Sequence, residues 1–436
     1  MAMEPRVRRG YLRFVMEWWR KPVVEATGSV LFRGALPPRA EDMDPLRAKG
    51  CSLHRDADAP NLHWSLKASH PTWGDARIRC LRDSPPIPPA LLEHDPRLTD
   101  SEKARAQLGR SSVSITIQGG ENVLRQRKNL LRYLQAAGGD DAVATVDHTS
   151  QTIWSDGALA DELAHDADLD VLGLFTIHHL PFWLHTHGLS ELGFFDFDVL
   201  EPSRDMTAGI DVIRALAFLI VEGKIERGGV PVDVVGGVPP AQLIDATRFR
   251  NDVGSRFAEW KSAVDESHLE GHAVVAAPSK KRLFGLLGAT LEPWPLLSER
   301  TISDRPIQFS TDATELMAKR ARATWDVFRS LREELAEFEF PALVKLCYEH
   351  EHLWFSVEKC FDERVEATLE SEPWADIGFR AGDRRKHRLT RLTDWIIFTP
   401  AGPISPRSST PARVIRENAA EIRALMLAAK AKRSRG

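Results

Sequence analysis

Residues 111–138 read SSVSITIQGGENVLRQRKNLLRYLQAAG, and this stretch sets the fold class. Val113, Ile115 and Ile117 alternate with Ser114, Thr116 and Gln118. A period of two places the apolar set on one face, so 111–117 reads as a half-buried strand. Gly119 and Gly120 turn the chain. Leu124, Leu131 and Leu134 then recur near helical spacing and Gly138-Gly139 supplies a stop, which predicts a helix over 122–137. Strands are expected next at 142–146, 171–177, 194–200 and 230–235, with helices at 156–165 and 207–224. In the second helix Ile210, Ile213, Leu216, Ala217 and Ile220 share one face. The order β-α-β-α-β-β-α-β predicts an α+β fold, mixed sheets covered by helices. A further helix over 242–265 and a strand over 272–277 complete a central domain, 106–305.

Upstream, 1–105 reads as a small β-rich domain. Leu62, Trp64 and Leu66 alternate with His63, Ser65 and Lys67, and 29–33 and 76–81 have strand character. Five prolines within 83–96 suit a linker, since proline supports neither a ladder nor a helix interior. Residues 1–20 suggest an amphipathic helix docked on the body. Downstream, 306–436 reads as a C-terminal domain: a long charged helix over 315–338, then short strands forming a small curled β-sheet flanked by helices. Thr410 is placed to cap a last helix that opens with Pro411 and ends in the basic tail Lys430, Lys432, Arg433 and Arg435.

The 436 residues carry 58 Lys plus Arg against 62 Asp plus Glu, so no basic excess points to nucleic acid. No apolar run approaches the roughly 18 residues of a membrane span. The N-terminal apolar run is broken by Arg13 and Glu17, unlike a signal peptide. A cytoplasmic protein with no membrane contact is expected, its four cysteines neutral thiols. GxSxG, GxGxxG, the P-loop, CxxC and HExxH are all missing from the sequence.

The stretch most suggestive of chemistry is THHLPFWLHTHGL, with His178, His179, His185 and His187. Two histidines at i, i+2 project to the same side of a strand, and neutral imidazole is a common zinc ligand. His185 and His187 could hold one Zn ion, with His178 from a neighbouring strand and a carboxylate from Asp196 or Asp198. The alternative is a set of hydrogen-bonded histidines at a strand edge, with Gly188 providing the turn. In YEHEHLWF, His350 and His352 alternate with Glu349 and Glu351, a pattern that suits a solvated sheet face.

Two segments resemble known families. EHLWFSVEKC, then LESEPW, the turn Arg380-Ala381-Gly382-Asp383 and LTDWIIF are similar to the YegJ-like bacterial domain of unknown function. Glu351, His352, Trp354, Pro373, Gly382, Asp383, Asp394 and Trp395 fill its pattern. Glu372 stands where Asn or Asp is usual, and Pro403 follows Gly402 where that family has a glycine-rich end. Upstream, FWLHTHGLSELGFFDFDVLE resembles the core of an uncharacterised bacterial WLHTHGL-type domain, with Asp196-Phe197-Asp198 at its ELE position. Together the resemblances span about residues 110–425.

Neither family has an assigned reaction, so the resemblance implies architecture more than activity. YegJ-like domains also resemble small immunity proteins, which act by binding a partner. The leading expectation is therefore a non-catalytic protein-interaction module, immunity-like or defence-associated and without a cofactor. It would bind a protein partner through Trp354, Trp395, Asp394 and Asp383. The alternative is a metal-dependent hydrolase built on His185, His187 and Asp196.

Overall fold

The computed structural model describes residues 25–425 except 58, 83–86, 88–90, 93, 94, 96, 120, 121, 181, 202–208, 237, 254, 255, 278–291 and 295–306. The expected N-terminal helix and basic tail, and most of the proline-rich stretch, lie outside the described residues. The fold is α+β, built on three open sheets.

The first sheet comprises β1 (Ala26–Phe32), β2 (Ser52–Arg55), β3 (Leu62–His70), β4 (Gly74–Leu81), β5 (Ser111–Ile117), β6 (Ala142–Asp147) and β7 (Thr152–Trp154), in the order β2-β3-β4-β5-β1-β6-β7. β1 pairs antiparallel with both β5 and β6, so one sheet crosses the boundary read at residue 105. Helices α1 (Val123–Gly138) and α2 (Asp156–Leu163) follow β5 and β7. Asn122 caps α1 by accepting from the Leu124 and Arg125 amides at 2.9 and 3.2 Å. α1 sits so close to β1 that a β-carbon at Gly28 would lie 2.7 Å from Leu134 Cδ1 and 2.8 Å from the Val146 carbonyl oxygen. Only glycine permits that approach.

The second sheet holds β8 (Thr176–His179), β9 (Trp183–His187), β10 (Asp196–Leu200), β11 (Gln242–Asp245), β12 (His272–Ala277) and β13 (Glu292–Pro293). Its order is β11-β12-β10-β9-β8, with β13 also paired to β12. β10 and β12 are parallel. Parallel neighbours require a crossover, which here carries α3 (Gly209–Val221), β11 and α4 (Glu266–Gly271). Leu130, Leu134, Leu184, Phe197, Ile213 and Leu216 belong to one apolar core shared by the first two sheets. The other face of the second sheet buries Trp183, Leu200, Phe249, Trp260, Leu269 and Val274 in a smaller core.

The third sheet is antiparallel: β14 (Ala342–Tyr348), β15 (Glu351–Cys360), β16 (Arg364–Leu369), β17 (Arg384–Arg388), β18 (Leu392–Thr399) and β19 (Gly402–Ile404), in the order β17-β16-β15-β14-β18-β19. Helices α5 (Thr311–Ala323), α6 (Trp325–Glu334) and α7 (Thr410–Glu417) flank it. Buried charges tie it to the rest. Arg413 of α7 donates to Glu102 at 3.0 Å and to Asp161 at 2.7 Å. Arg320 of α5 donates to Glu162 at 2.9 Å.

Several elements differ from the sequence expectation. Residues 171–174 form a single 3₁₀ turn, because Asp170 accepts from the Leu172 amide and starts a turn where a strand was expected. Residues 230–235 make only the isolated bridges Val232 to Ala241 and Val235 to Ile307. The helix expected over 242–265 opens instead as β11, whose Leu243 and Ile244 pair with β12. The long helix over 315–338 breaks at Thr324, whose hydroxyl donates back to the Arg320 carbonyl at 2.9 Å. Ser409 takes the cap position of α7, while the Thr410 hydroxyl donates to the Arg97 carbonyl. No helix among the described residues is long and apolar enough to cross a membrane.

Candidate metal centre

The register of the second sheet builds a cluster that no single segment contains. His178 on β8 pairs with His185 on β9, and His185 pairs with Asp198 on β10. Asp196 on β10 pairs with His272 on β12. His187 lies two residues beyond His185 and so shares its side of the strand. His268, from α4, stacks on His272 with ring centroids 3.7 Å apart. His185 has four imidazole neighbours, with centroids at 5.0 Å (His178), 6.3 Å (His187), 5.4 Å (His268) and 6.0 Å (His272). Two triads have ligand atoms within 4.8 Å of one another: His187, Asp196 and His272, and Asp198, His268 and His272.

The two aspartates do different work. Asp198 is fully buried. Its carboxylate accepts from His268 Nε2 at 2.9 Å, from His272 Nδ1 at 3.1 Å and from the Trp260 indole N–H at 3.0 Å. Burial alone would push its carboxyl up, but hydrogen bonds from His268 and His272 outweigh this and hold it below the ordinary range. Asp196 braces the turn after β9. It accepts from the Thr186 hydroxyl at 2.8 Å, from the Gly188, Leu189 and Ser190 amides at 3.0–3.2 Å, and from the Ser190 hydroxyl at 2.7 Å. A carboxylate offers about four lone-pair directions. Five donors from the loop that carries His187 share its oxygens, and Asp196 also keeps a ligand atom within 4.8 Å of His187 and His272, as the sequence expectation had it. Gly188 opens that loop at φ +130°, where a side chain would meet the Leu174 carbonyl at 2.8 Å.

Burial disfavours the charged form of these imidazoles. Burial pushes His185 down to about 3, and lowers His178 and His187 as well. They are neutral near pH 7, and His178 Nε2 is hydrogen-bonded to the Thr176 hydroxyl at 3.1 Å. Nδ1 of His185 and Nδ1 of His187 are buried with no hydrogen-bond partner, as is the Trp183 indole nitrogen on the same strand. Buried polar atoms normally find partners. The orphans at 183, 185 and 187 alternate along β9 and so share one face of the strand.

Of the expected residues, His178, His185 and His187 do come together, and Asp198 joins them. His179 is exposed, at the end of β8. His268 and His272 were not anticipated. Their one signal was the i, i+4 spacing just before the apolar strand HAVVAA.

The residues expected to meet a partner separate. Trp395 is 1% exposed, stacks near Phe328 and donates to Thr324 at 2.9 Å. It is a core residue and presents no surface, which corrects its expected binding role. Asp394 accepts from the Trp395 amide, and Asp383 closes the 380–383 turn by accepting from the Arg380 amide. Trp354 is half-buried, with the Lys345 ammonium 5.3 Å from its ring. The exposed tryptophan nearby is Trp374, at 90%, in the loop between β16 and β17. In the second histidine cluster, His350 sits at positive φ in the β14–β15 turn, and His352 is paired to Thr393 at 3.0 Å.

The chain matches no family model, no curated protein and no solved structure.

Proposed function

We propose that this protein is a metal-dependent hydrolase, with a zinc-type ion held by imidazoles of the His178–His185–His187–His272 face. One observation carries the reading: two neighbouring half-buried imidazoles, His185 and His187, each keep a buried ring nitrogen without a partner while three more imidazoles converge on them. Nitrogen-rich, neutral ligand sets suit zinc and its neighbours in the transition series. A zinc-type ion with an open position brings the ionisation of bound water to about pH 7, which is the chemistry hydrolysis needs. The chain's own part is to keep the imidazoles neutral by burial and to fix their orientation. The four cysteines are free thiols, which supports a reducing compartment such as the bacterial cytoplasm.

The test is metal analysis of protein purified without immobilised metal, followed by ester and phosphoester hydrolysis with and without chelator. About one equivalent per chain is expected, falling sharply in His185→Ala and His187→Ala. Less than about a tenth of an equivalent after zinc or cobalt dialysis would overturn the reading.

A second reading, the immunity-like interaction module, has Trp374 in its favour. This side chain is almost wholly exposed while its backbone is held by Glu351, which accepts from the Trp374 amide at 3.0 Å. A large rigid aromatic presented this way suits an interface anchor. A protein partner that co-purifies and is lost in Trp374→Ala would support it.

A further inference from the structure

We propose that Asp198 is a positioning residue for the metal centre: by holding Nδ1–H of His272, it leaves Nε2 of that ring to share an ion with His187. This rests on the metal-centre reading above, and it chooses between the two triads.

His272 belongs to both triads. In one, the third partner is Asp198, whose oxygens already accept from His268, His272 and Trp260 at 2.9–3.1 Å. The Trp260 contact is decisive, because an indole nitrogen can only donate. Asp198 is thus an acceptor anchored from the side of the smaller apolar core, where Trp260 is 1% exposed. A carboxylate tied to a rigid donor and to two imidazole N–H groups has the arrangement of an outer support. Metal-binding histidines commonly give their second ring N–H to such a carboxylate, which fixes tautomer and orientation and raises basicity. Once Nδ1 of His272 is committed, the lone pair of that ring lies on Nε2. In the other triad, Asp196 is shared with its loop. The remaining donors are imidazoles: His187, with the same orphaned nitrogen as His185, and His272. The ion therefore belongs with His187 and His272, whose ligand atoms lie within 4.8 Å of one another, with Asp198 behind them. His268, stacked on His272 and bonded to the same carboxylate, completes the support.

The experiment has two arms on the full chain. In the first, nitrogen-15 NMR of the metal-free wild type reads the tautomer of His272. The expected result is a protonated Nδ1 and a bare Nε2, and the reverse tautomer overturns the proposal without any variant needing to fold. In the second, cobalt is titrated and its visible absorption recorded. Asp198→Asn should weaken cobalt binding by about tenfold to a hundredfold while retaining the cobalt spectrum of the wild type. Trp260→Phe should weaken it less, and Asp198→Glu should recover part of the loss. His187→Ala should abolish the spectrum. If His187→Ala still binds cobalt while Asp198→Asn and His268→Ala do not, the ion sits in the other triad; the proposal then fails and the metal reading survives. If the wild type takes up no cobalt, the metal reading itself fails. Unchanged affinity in Asp198→Asn overturns the positioning role alone.

Discussion

Arg320 of α5 and Glu162 of α2, 158 residues apart, form a two-pronged ion pair in the interior, with both side chains under a tenth exposed. Glu162 also accepts from the buried Lys128 ammonium at 3.4 Å, so one carboxylate answers two cations. Burial alone would push the Glu162 carboxyl up; the Arg320 guanidinium holds it below the usual range.

Removing that carboxylate should therefore cost more than removing a surface ion pair. Glu162→Gln leaves two buried cations uncompensated, and we expect a loss of about 3–5 kcal/mol in urea unfolding. A loss below about 1 kcal/mol, the range of an exposed pair, would show that the site is wetter than the structure has it.

Asp196 gives a prediction of the opposite kind from a ligand. Asp196→Asn replaces one acceptor oxygen by a donor facing backbone amides. We expect about 2–4 kcal/mol of destabilisation in metal-free protein, read by thermal or urea unfolding. A direct ligand would show the reverse pattern, with metal affinity lost and metal-free stability unchanged.

His165 sets a pH dependence. Burial pushes it down to about 3, with Arg320 adding to the effect. The unfolded chain, near 6.5, binds the proton first. His165 thus contributes nothing adverse above pH 6.5, and stability is lost as pH falls from 6.5 towards 3. The slope is at most about 1.4 kcal/mol per pH unit. His165→Asn should make the slope shallower by one proton's share in a urea series across this window, the rest coming from groups such as His185; an identical slope in both proteins would refute the assignment.

Trp395, on β18, and Trp374, in the loop between β16 and β17, should behave differently. Trp395→Ala empties a filled core position and should cost about 3–5 kcal/mol. Trp374→Ala should change stability by no more than about 0.5 kcal/mol. A large stability loss at Trp374 would mean that its side chain is packed, which would remove the support for an interface there.

What the sequence made legible follows from the range of the forces involved. The alternation of Val113, Ile115 and Ile117 and the helical spacing of Leu124, Leu131 and Leu134 are local, and both β5 and α1 stand where expected. His185 and His187 were readable as a pair because strand geometry alone puts i and i+2 together. His268 and His272 were not, because they join through a parallel pairing that spacing does not encode. The same limit misplaced 242–245: two apolar residues suit a helix or a strand until a neighbour such as β12 decides. Trp395 was misjudged because its neighbours Asp394 and Thr393 are polar, while its side chain turns inward against α6.

The parallel junction of β10 and β12 also bears on how the molecule matures. The half of the cluster carrying His185 and Asp198 cannot meet His268, 70 positions beyond Asp198, until the intervening chain has looped back. Closure of so long an excursion is entropically slow compared with forming hairpins such as β8–β9. Assembly of the histidine cluster would therefore be a late event, and a nascent chain released before residue 272 would have every hairpin of the first sheet yet lack the His272 side of the cluster.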